Sequence, residues 1–174
     1  LAPENTLSSL HQAAQSGAKW VECDVRLTKC GTPVVFHDET LNRTTNGSGL
    51  VVSHRYDEIA HLDAGGWFHD NFRGEKVPKF EDWLALAAKY ELGINVELKD
   101  EAGQSHHLAE EVAYFINHRW PGHLPRPLLS SADIDCLHAI RNQSSQYQFA
   151  FITDKWRDDW ENILRRFDCV SLNI

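Results

Sequence analysis

Two short segments of the chain place charged side chains at alternate positions inside apolar stretches. Glu22 and Asp24 are separated by one residue, and so are Glu97 and Lys99. Side chains two residues apart on a β-strand point to the same face, so each pair is predicted to project together. Neighbouring carboxylates repel unless they share a proton or a cation, and Mg²⁺ and Ca²⁺ prefer oxygen ligands. The pattern suits a divalent-cation site, and an amphipathic strand with one solvated face explains it equally well.

The second segment contains a carboxylate in a strand that is predicted to be buried on both sides. Asn95, Glu97 and Lys99 share one face of this strand. A lone buried carboxylate costs several kcal/mol unless it is compensated. A simple ion pair between Glu97 and Lys99 is one form of compensation. If the polar face instead lines the interior of a barrel, Glu97 becomes a third metal ligand and Lys99 a donor to phosphate.

A histidine follows the apolar run that begins at Pro33. If the chain turns at residues 29–32, Thr28 faces Pro33 and Asp24 lies opposite His37. Cross-strand partners have Cβ atoms about 4.5–5.5 Å apart, so His37 is predicted to lie beside the carboxylates as a general acid or base. A structural histidine at a strand end is the alternative. The other histidines are predicted to be surface residues.

The elements that must position these residues follow from hydrophobic periodicity and turn residues. A first helix is predicted from Leu7 to about residue 18, and residues 40–78 are predicted to be mostly loop with one short helix near 56–62. The later helices are expected near 79–90, 107–119, 134–140 and 156–167, the last with Trp156 and Trp160 in the core. Strands are expected at 19–28, 33–37, 93–98, 127–130, 148–152 and 169–173.

Helices that alternate with short buried strands predict βαβ units and a parallel sheet. Five strands are of the parallel type, a count that an open doubly wound sheet also fits. An incomplete (β/α)₈ barrel of the TIM type fits better, because several strands carry polar residues near their C-terminal ends. Barrels of this kind build their sites there.

The composition excludes some partners. The chain has 174 residues and a net charge of −8, which argues against binding to nucleic acid or to an anionic membrane surface. No apolar run is long enough to cross a bilayer, so stable membrane insertion is not expected. The four cysteines have no CxxC spacing, which favours reduced thiols and a cytoplasmic location.

Six segments together resemble the glycerophosphodiester phosphodiesterase family of the phospholipase C-like phosphodiesterase superfamily. The order and spacing of the segments along nearly the whole chain are specific, although each segment alone is weak. The segments are APENT at residues 2–6, VECDV at 21–25, LTKCGTPVVFHD at 27–38, LNRTTNG at 41–47, VELK at 96–99 and LSS at 129–131.

The resemblance implies a TIM barrel that hydrolyses glycerophosphodiesters, such as glycerophosphocholine or glycerophosphoethanolamine, to glycerol 3-phosphate and an alcohol. It implies one divalent cation, Mg²⁺ or Ca²⁺, bound by the residues at Glu22, Asp24 and Glu97. His37 matches one of two catalytic histidines. Lys99 is expected near the phosphate, and Glu4 is grouped with it as a substrate-binding residue whose role is open.

The resemblance also predicts that residues 1–174 form a single barrel domain that is truncated at both ends, with residues 40–78 as a small cap-like insertion. The second catalytic histidine is expected upstream of residue 1. The isolated chain is therefore expected to have little or no activity. The alternatives are a related barrel enzyme that acts on lysolipids, a non-catalytic module that binds a metal or phosphate, and, more distantly, a carbohydrate-binding barrel. The head group, the choice of cation and the oligomeric state are left open.

Overall fold

The computed structural model describes residues 1–100, 103–143 and 146–174. Six strands form one sheet in the order β2-β1-β3-β4-β5-β6. The strands are β1 (Trp20–Leu27), β2 (Pro33–Val35), β3 (Gly93–Leu98), β4 (Leu128–Ser131), β5 (Gln148–Ile152) and β6 (Cys169–Asn173). The helices are α1 (Leu7–Gln15), α2 (Tyr56–Ile59), α3 (Phe80–Lys89), α4 (Ser105–Arg119), α5 (Ile134–Gln143) and α6 (Trp160–Phe167).

Parallel pairing dominates the sheet. β1, β3, β4, β5 and β6 pair in parallel, and only β2 joins the sheet antiparallel, at the outer side of β1. Each parallel pair from β3 onward is connected through a helix, as the long crossover between parallel strands requires. The predicted alternation of helices with parallel strands is confirmed.

The main core lies on the face of the sheet opposite the acidic residues. Cys23 and Val25 are fully buried there, beside their partners Val96 and Leu98 on β3. The indole of Trp83 on α3 belongs to the same core cluster. Because successive side chains of a strand point to opposite faces, burial of these residues directs Glu22 and Asp24 to the other side.

Residues 40–78 are irregular, as predicted, and contain α2 as their one α-helix. The segment has a small apolar cluster of its own that also takes in residues of the β2 region. Its members are Val34, Phe36, Leu41, Val51, Ile59, Ala64 and Val77. Whether the segment acts as a cap stays a prediction.

The predicted register of the β1–β2 hairpin is wrong by one residue. Val25 pairs with Val35, and the amide of Phe36, not of His37, donates to the carbonyl of Asp24 at 2.9 Å. The physical reason is the turn, which has three residues instead of four. The amide of Thr28 donates to the carbonyl of Thr32, and Gly31 adopts a φ of +78°, the left-handed residue that closes a three-residue hairpin loop.

The last helix is shorter than its apolar spacing predicts. α6 begins at Trp160, and Trp156 is 71% exposed, so the prediction that Trp156 belongs to the core is wrong. Local side-chain bonds compete with helix formation in this segment. Thr153 Oγ1 donates to the carbonyl of Lys155, and Trp156 Nε1 donates to Asp158.

Within the described residues, no helix has both the length and the apolar character that are needed to span a membrane.

Candidate active site

Three carboxylates from two neighbouring strands converge on the polar face of the sheet. The parallel register of β1 and β3 sets Asp24 beside Glu97 and Glu22 beside Asn95. One ligand oxygen each from Glu22, Asp24 and Glu97 can be chosen so that all three lie within 4.8 Å of one another. We call these three residues the carboxylate cluster. The sequence pattern predicted the two faces, and the strand register brings them together.

The electrostatics of the carboxylate cluster fit a divalent cation. Asp24 is only 4% exposed, whereas Glu22 is exposed to solvent. Desolvation by the surrounding protein, and then the charges of Asp24 and Glu97, raise the pKa of Glu22 to about 8. Burial likewise raises the pKa of Glu97. A cation shared by the three oxygens relieves this repulsion, and an all-oxygen ligand set suits a hard ion.

Lys99 supplies positive charge to the carboxylate cluster. Its Nζ lies 2.8 Å from Glu97 Oε1 and 3.3 Å from Asp24 Oδ1. Burial lowers the pKa of Lys99, but the hydrogen bond to Glu97 and the charge of Asp24 outweigh that effect and raise it overall. The ion pair that the sequence allowed is therefore present. An ammonium group has three N–H donors, so two contacts leave one donor for another acceptor.

Asn5 ties the start of the chain to the carboxylate cluster. Its Nδ2 donates to Asp24 Oδ2 at 2.7 Å, and its Oδ1 accepts from the Asp24 amide at 3.3 Å. Asn5 has a φ of +54°, a left-handed conformation that asparagine tolerates better than most residues. Thr6 then caps α1 by accepting from the Ser9 amide, which fixes where the helix begins.

His37 lies in the loop that follows β2 and not on the strand itself. We call residues 36–43 the histidine loop. The backbone carbonyl of His37 accepts from Arg26 Nε at 2.9 Å, and its ring Nδ1 lies 2.7 Å from Asp38 Oδ1. His37, Glu22 and Asp24 all border one cavity of about 410 Å³. Although the predicted register is wrong, His37 and the carboxylates share this cavity. The other nine histidines are exposed or partly exposed.

The glycerophosphoryl diester phosphodiesterase family matches residues 1–174 of the chain. The chain belongs to this family. A glycerophosphodiester phosphodiesterase from Caldanaerobacter subterraneus subsp. tengcongensis is 43% identical over 97 residues, which cover 56% of this chain and 40% of the relative.

Solved structures of phosphodiesterases have the same fold. One is an Oleispira antarctica phosphodiesterase in complex with the product sn-glycerol-3-phosphate, with a TM-score of 0.95 at 35% identity over 98% of this chain and 69% of that one. Another is a glycerophosphodiester phosphodiesterase from Agrobacterium tumefaciens, with a TM-score of 0.79 at 27% identity over 99% of this chain and 81% of that one. The six-stranded α/β sheet is thus a half-barrel of the phosphodiesterase type, which confirms the predicted fold class.

This family member has a second group of charged residues beside the carboxylate cluster. Arg43 donates to Asp38 through Nε and Nη2, at 2.7 Å each. It also donates to Glu4 through Nη1 and Nη2, at 3.0 and 2.6 Å. Glu4 therefore contacts a guanidinium group, and its predicted role in substrate binding stays untested.

The sequence pattern indicated no functional role for Asn5, Asp38 or Arg43, although all three lie in the segments that carry the family resemblance. They are in loops, where no periodicity indicates which way a side chain points. For Asn5 and Asp38 the available signal was adjacency to assigned residues, since Asn5 follows Glu4 and Asp38 follows His37, whereas Arg43 has only its place in the segment LNRTTNG.

Proposed function

We propose that the protein that carries this chain hydrolyses glycerophosphodiesters, such as glycerophosphocholine and glycerophosphoethanolamine, to glycerol 3-phosphate and an alcohol. The observation that carries the proposal is the carboxylate cluster, whose oxygens converge within 4.8 Å, with His37 on the same cavity as two of its members. The family match over residues 1–174 supports the reaction class, and the product bound to the Oleispira antarctica phosphodiesterase supports a small-molecule substrate.

Glu22, Asp24 and Glu97 are proposed to hold one divalent cation, Mg²⁺ or Ca²⁺. Such a cation, when bound, supplies polarisation of a phosphoryl oxygen and neutralises the charge that develops on it. Asn5 supports this site by its two hydrogen bonds to Asp24, one of which fixes the carboxylate directly. Partners of ligating groups generally orient the ligand and tune its basicity.

Lys99 is proposed to donate its remaining N–H to a phosphoryl oxygen of the substrate while it contacts Glu97 and Asp24. His37 is proposed as one acid-base group, because its Nδ1 is engaged by Asp38 and its Nε2 remains for proton transfer. The family resemblance predicts a second histidine for the opposite proton transfer. Glu4 borders the same cavity as His37, so its predicted place in the substrate-binding set is retained.

The chain spans well under two thirds of the curated relative's length, 40% in the alignment with the Caldanaerobacter enzyme. The activity is therefore proposed for the longest natural form of the protein that contains this sequence. The family resemblance predicts that the second catalytic histidine lies upstream of residue 1, so the 174-residue chain alone is predicted to have little or no activity. A cytoplasmic location stays a prediction.

The deciding experiment measures glycerol 3-phosphate released from glycerophosphocholine and glycerophosphoethanolamine, and, in a parallel assay, choline released from lysophosphatidylcholine. The longest form should release glycerol 3-phosphate in the presence of Mg²⁺ or Ca²⁺, and His37→Gln should abolish turnover. Turnover of the lysolipid alone would favour the related barrel enzyme. Cation binding without any turnover would favour a non-catalytic module. Turnover by the 174-residue chain would contradict the predicted need for a second histidine.

A further inference from the structure

A guanidinium group connects the proposed acid-base histidine to the start of the chain. Asp38 accepts from Arg43 through both carboxylate oxygens and also lies 2.7 Å from Nδ1 of His37. Glu4, 39 residues away in the sequence, accepts from the same guanidinium through both of its own oxygens. Arg43 therefore bridges two carboxylates, one of which contacts the His37 ring.

We infer that Arg43 is a positioning residue, which holds Asp38 against Nδ1 of His37 and thereby fixes the orientation and the tautomer of the ring. This inference rests on the proposed function of His37 and deepens it. Asp38 links the two residues, because it contacts both the Arg43 guanidinium and the His37 ring. Glu4 holds the guanidinium of Arg43 on its other side.

The His37 side chain is 51% exposed, so solvent borders much of the ring. The hydrogen bond from Arg26 Nε goes to the backbone carbonyl of His37, whereas Asp38 contacts the ring directly at Nδ1. Asp38 is the next residue in an exposed loop, where a free carboxylate samples several rotamers. Two-pronged contact with a planar guanidinium selects one orientation of the carboxylate, which a lysine ammonium cannot do.

The charge on Asp38 agrees with this arrangement. Hydrogen bonds from Arg43 hold the pKa of Asp38 well below its ordinary range, so the carboxylate stays ionised. An ionised carboxylate only accepts hydrogen bonds, so His37 must donate through Nδ1. In the neutral ring Nε2 is then the unprotonated nitrogen that is able to accept a proton.

A second cation site is the competing explanation of the same group. Single ligand atoms of Glu4, His37 and Asp38 lie within 4.8 Å of one another, a spacing that also suits a metal. However, Arg43 already places its positive charge between Glu4 and Asp38 and uses both oxygens of each. A metal ion there would face the guanidinium and displace its bonds, so the positioning role is the better account.

The first test is a spectroscopic one on the chain itself, and needs no enzymatic activity. Long-range ¹H–¹⁵N spectra of histidine-labelled protein report the tautomer, with the His37 signals assigned by their loss in His37→Gln. The wild type is expected to show the Nδ1–H tautomer at a pH where the ring is neutral. Arg43→Gln should shift the ring toward the Nε2–H tautomer, while circular dichroism shows an unchanged fold. An unchanged tautomer in folded Arg43→Gln would overturn the inference.

Arg73→Gln is the matched control. Arg73 makes an exposed two-bond contact with Asp70, at 3.0 and 2.8 Å, in a pair that contains no histidine. This variant should leave the His37 tautomer unchanged, and an equal shift in it would overturn the inference. If Arg43→Gln fails to fold, Arg43→Lys and Glu4→Gln replace it. Both should shift the tautomer in the same direction by a smaller amount, and no shift in either would again count against the inference.

The second test measures kinetics in the longest natural form of the protein. Arg43→Gln is expected to lower kcat about 10-fold, part of the contribution that a well-placed acid-base group makes, with little change in KM. A rise in KM with unchanged kcat would overturn the positioning role. If no form turns over glycerophosphodiesters, the proposed function fails, and the tautomer experiment still decides whether Arg43 positions the ring.

Discussion

Glu22 and Asp24 of the carboxylate cluster border the same cavity as His37 of the histidine loop, yet the cluster and the loop are held by different kinds of structure. Asp24 and Glu97 are paired residues on parallel strands whose other faces are buried in the main core. His37 lies beyond the end of β2, and the position of its ring depends on Asp38 and Arg43.

The two kinds of support predict different effects of substitution in the carboxylate cluster and in the histidine loop. A strand position is fixed by backbone hydrogen bonds and by burial of the opposite face. Substitution of one residue of the carboxylate cluster should therefore remove that ligand and leave the positions of the neighbouring side chains unchanged. The histidine loop has Phe36 and Leu41 buried in an apolar cluster, but the His37 ring itself is oriented by charged side chains near the surface. Exposed ion pairs are weak one at a time, and geometry in such a loop depends on several bonds that act together.

The largest expected effect separates the two regions directly. Glu97→Gln removes one charged ligand and should weaken Mg²⁺ or Ca²⁺ binding about 100-fold. Loss of a residue that only supports a ligand already lowers metal affinity by up to about this factor. His37→Gln should leave the affinity unchanged, because the ring belongs to the other region. Isothermal titration calorimetry of both variants measures the contrast.

Glu110→Gln on the exposed surface of α4 is the matched control for this comparison, since it makes the same chemical change away from the site. Equal loss of binding in Glu97→Gln and Glu110→Gln would mean that net charge, and not a site, binds the cation.

An intermediate effect is expected at Asn5, which lies where the two regions meet. Asn5→Gly removes both hydrogen bonds to Asp24, while glycine accepts the φ of +54° at little cost. Cation affinity should fall about 10-fold, as for other residues that support a ligand. The thermal unfolding midpoint without cation serves as the control and should change little. Unaltered affinity would show that Asp24 needs no support from Asn5.

The smallest effect concerns the pH dependence of stability without a cation. The pKa of Glu22 is raised from 4.5 to about 8 in the folded chain, so its favourable contribution is complete below pH 4.5 and is lost as the pH rises through 8. The unfolding midpoint should fall over this range by a few degrees, because an exposed edge screens the charge. Glu22→Gln should flatten the fall, and Mg²⁺ should reverse it. A midpoint that is equally pH-dependent in both proteins would contradict this account.

The carboxylate cluster was largely predictable from the sequence, and the histidine loop was not. The positions of Glu22, Asp24 and Glu97 on polar strand faces can be predicted from the two-residue period of a strand alone. The hairpin prediction failed because Gly31 closes a three-residue turn, a choice that depends on the backbone of one residue. Trp156 fits a helical spacing, but local bonds to neighbouring polar groups keep it outside α6.

The local sequence is enough to predict which side chains share a strand face, and therefore that Glu22 and Asp24 point away from Cys23 and the core. It is enough because the period of a strand is a property of the local backbone. The pairing of Asp24 with Glu97, and the bridge that Arg43 makes between Glu4 and Asp38, are visible only in the folded chain. Strand register and loop geometry depend on contacts between distant parts of the chain, and no local pattern contains them.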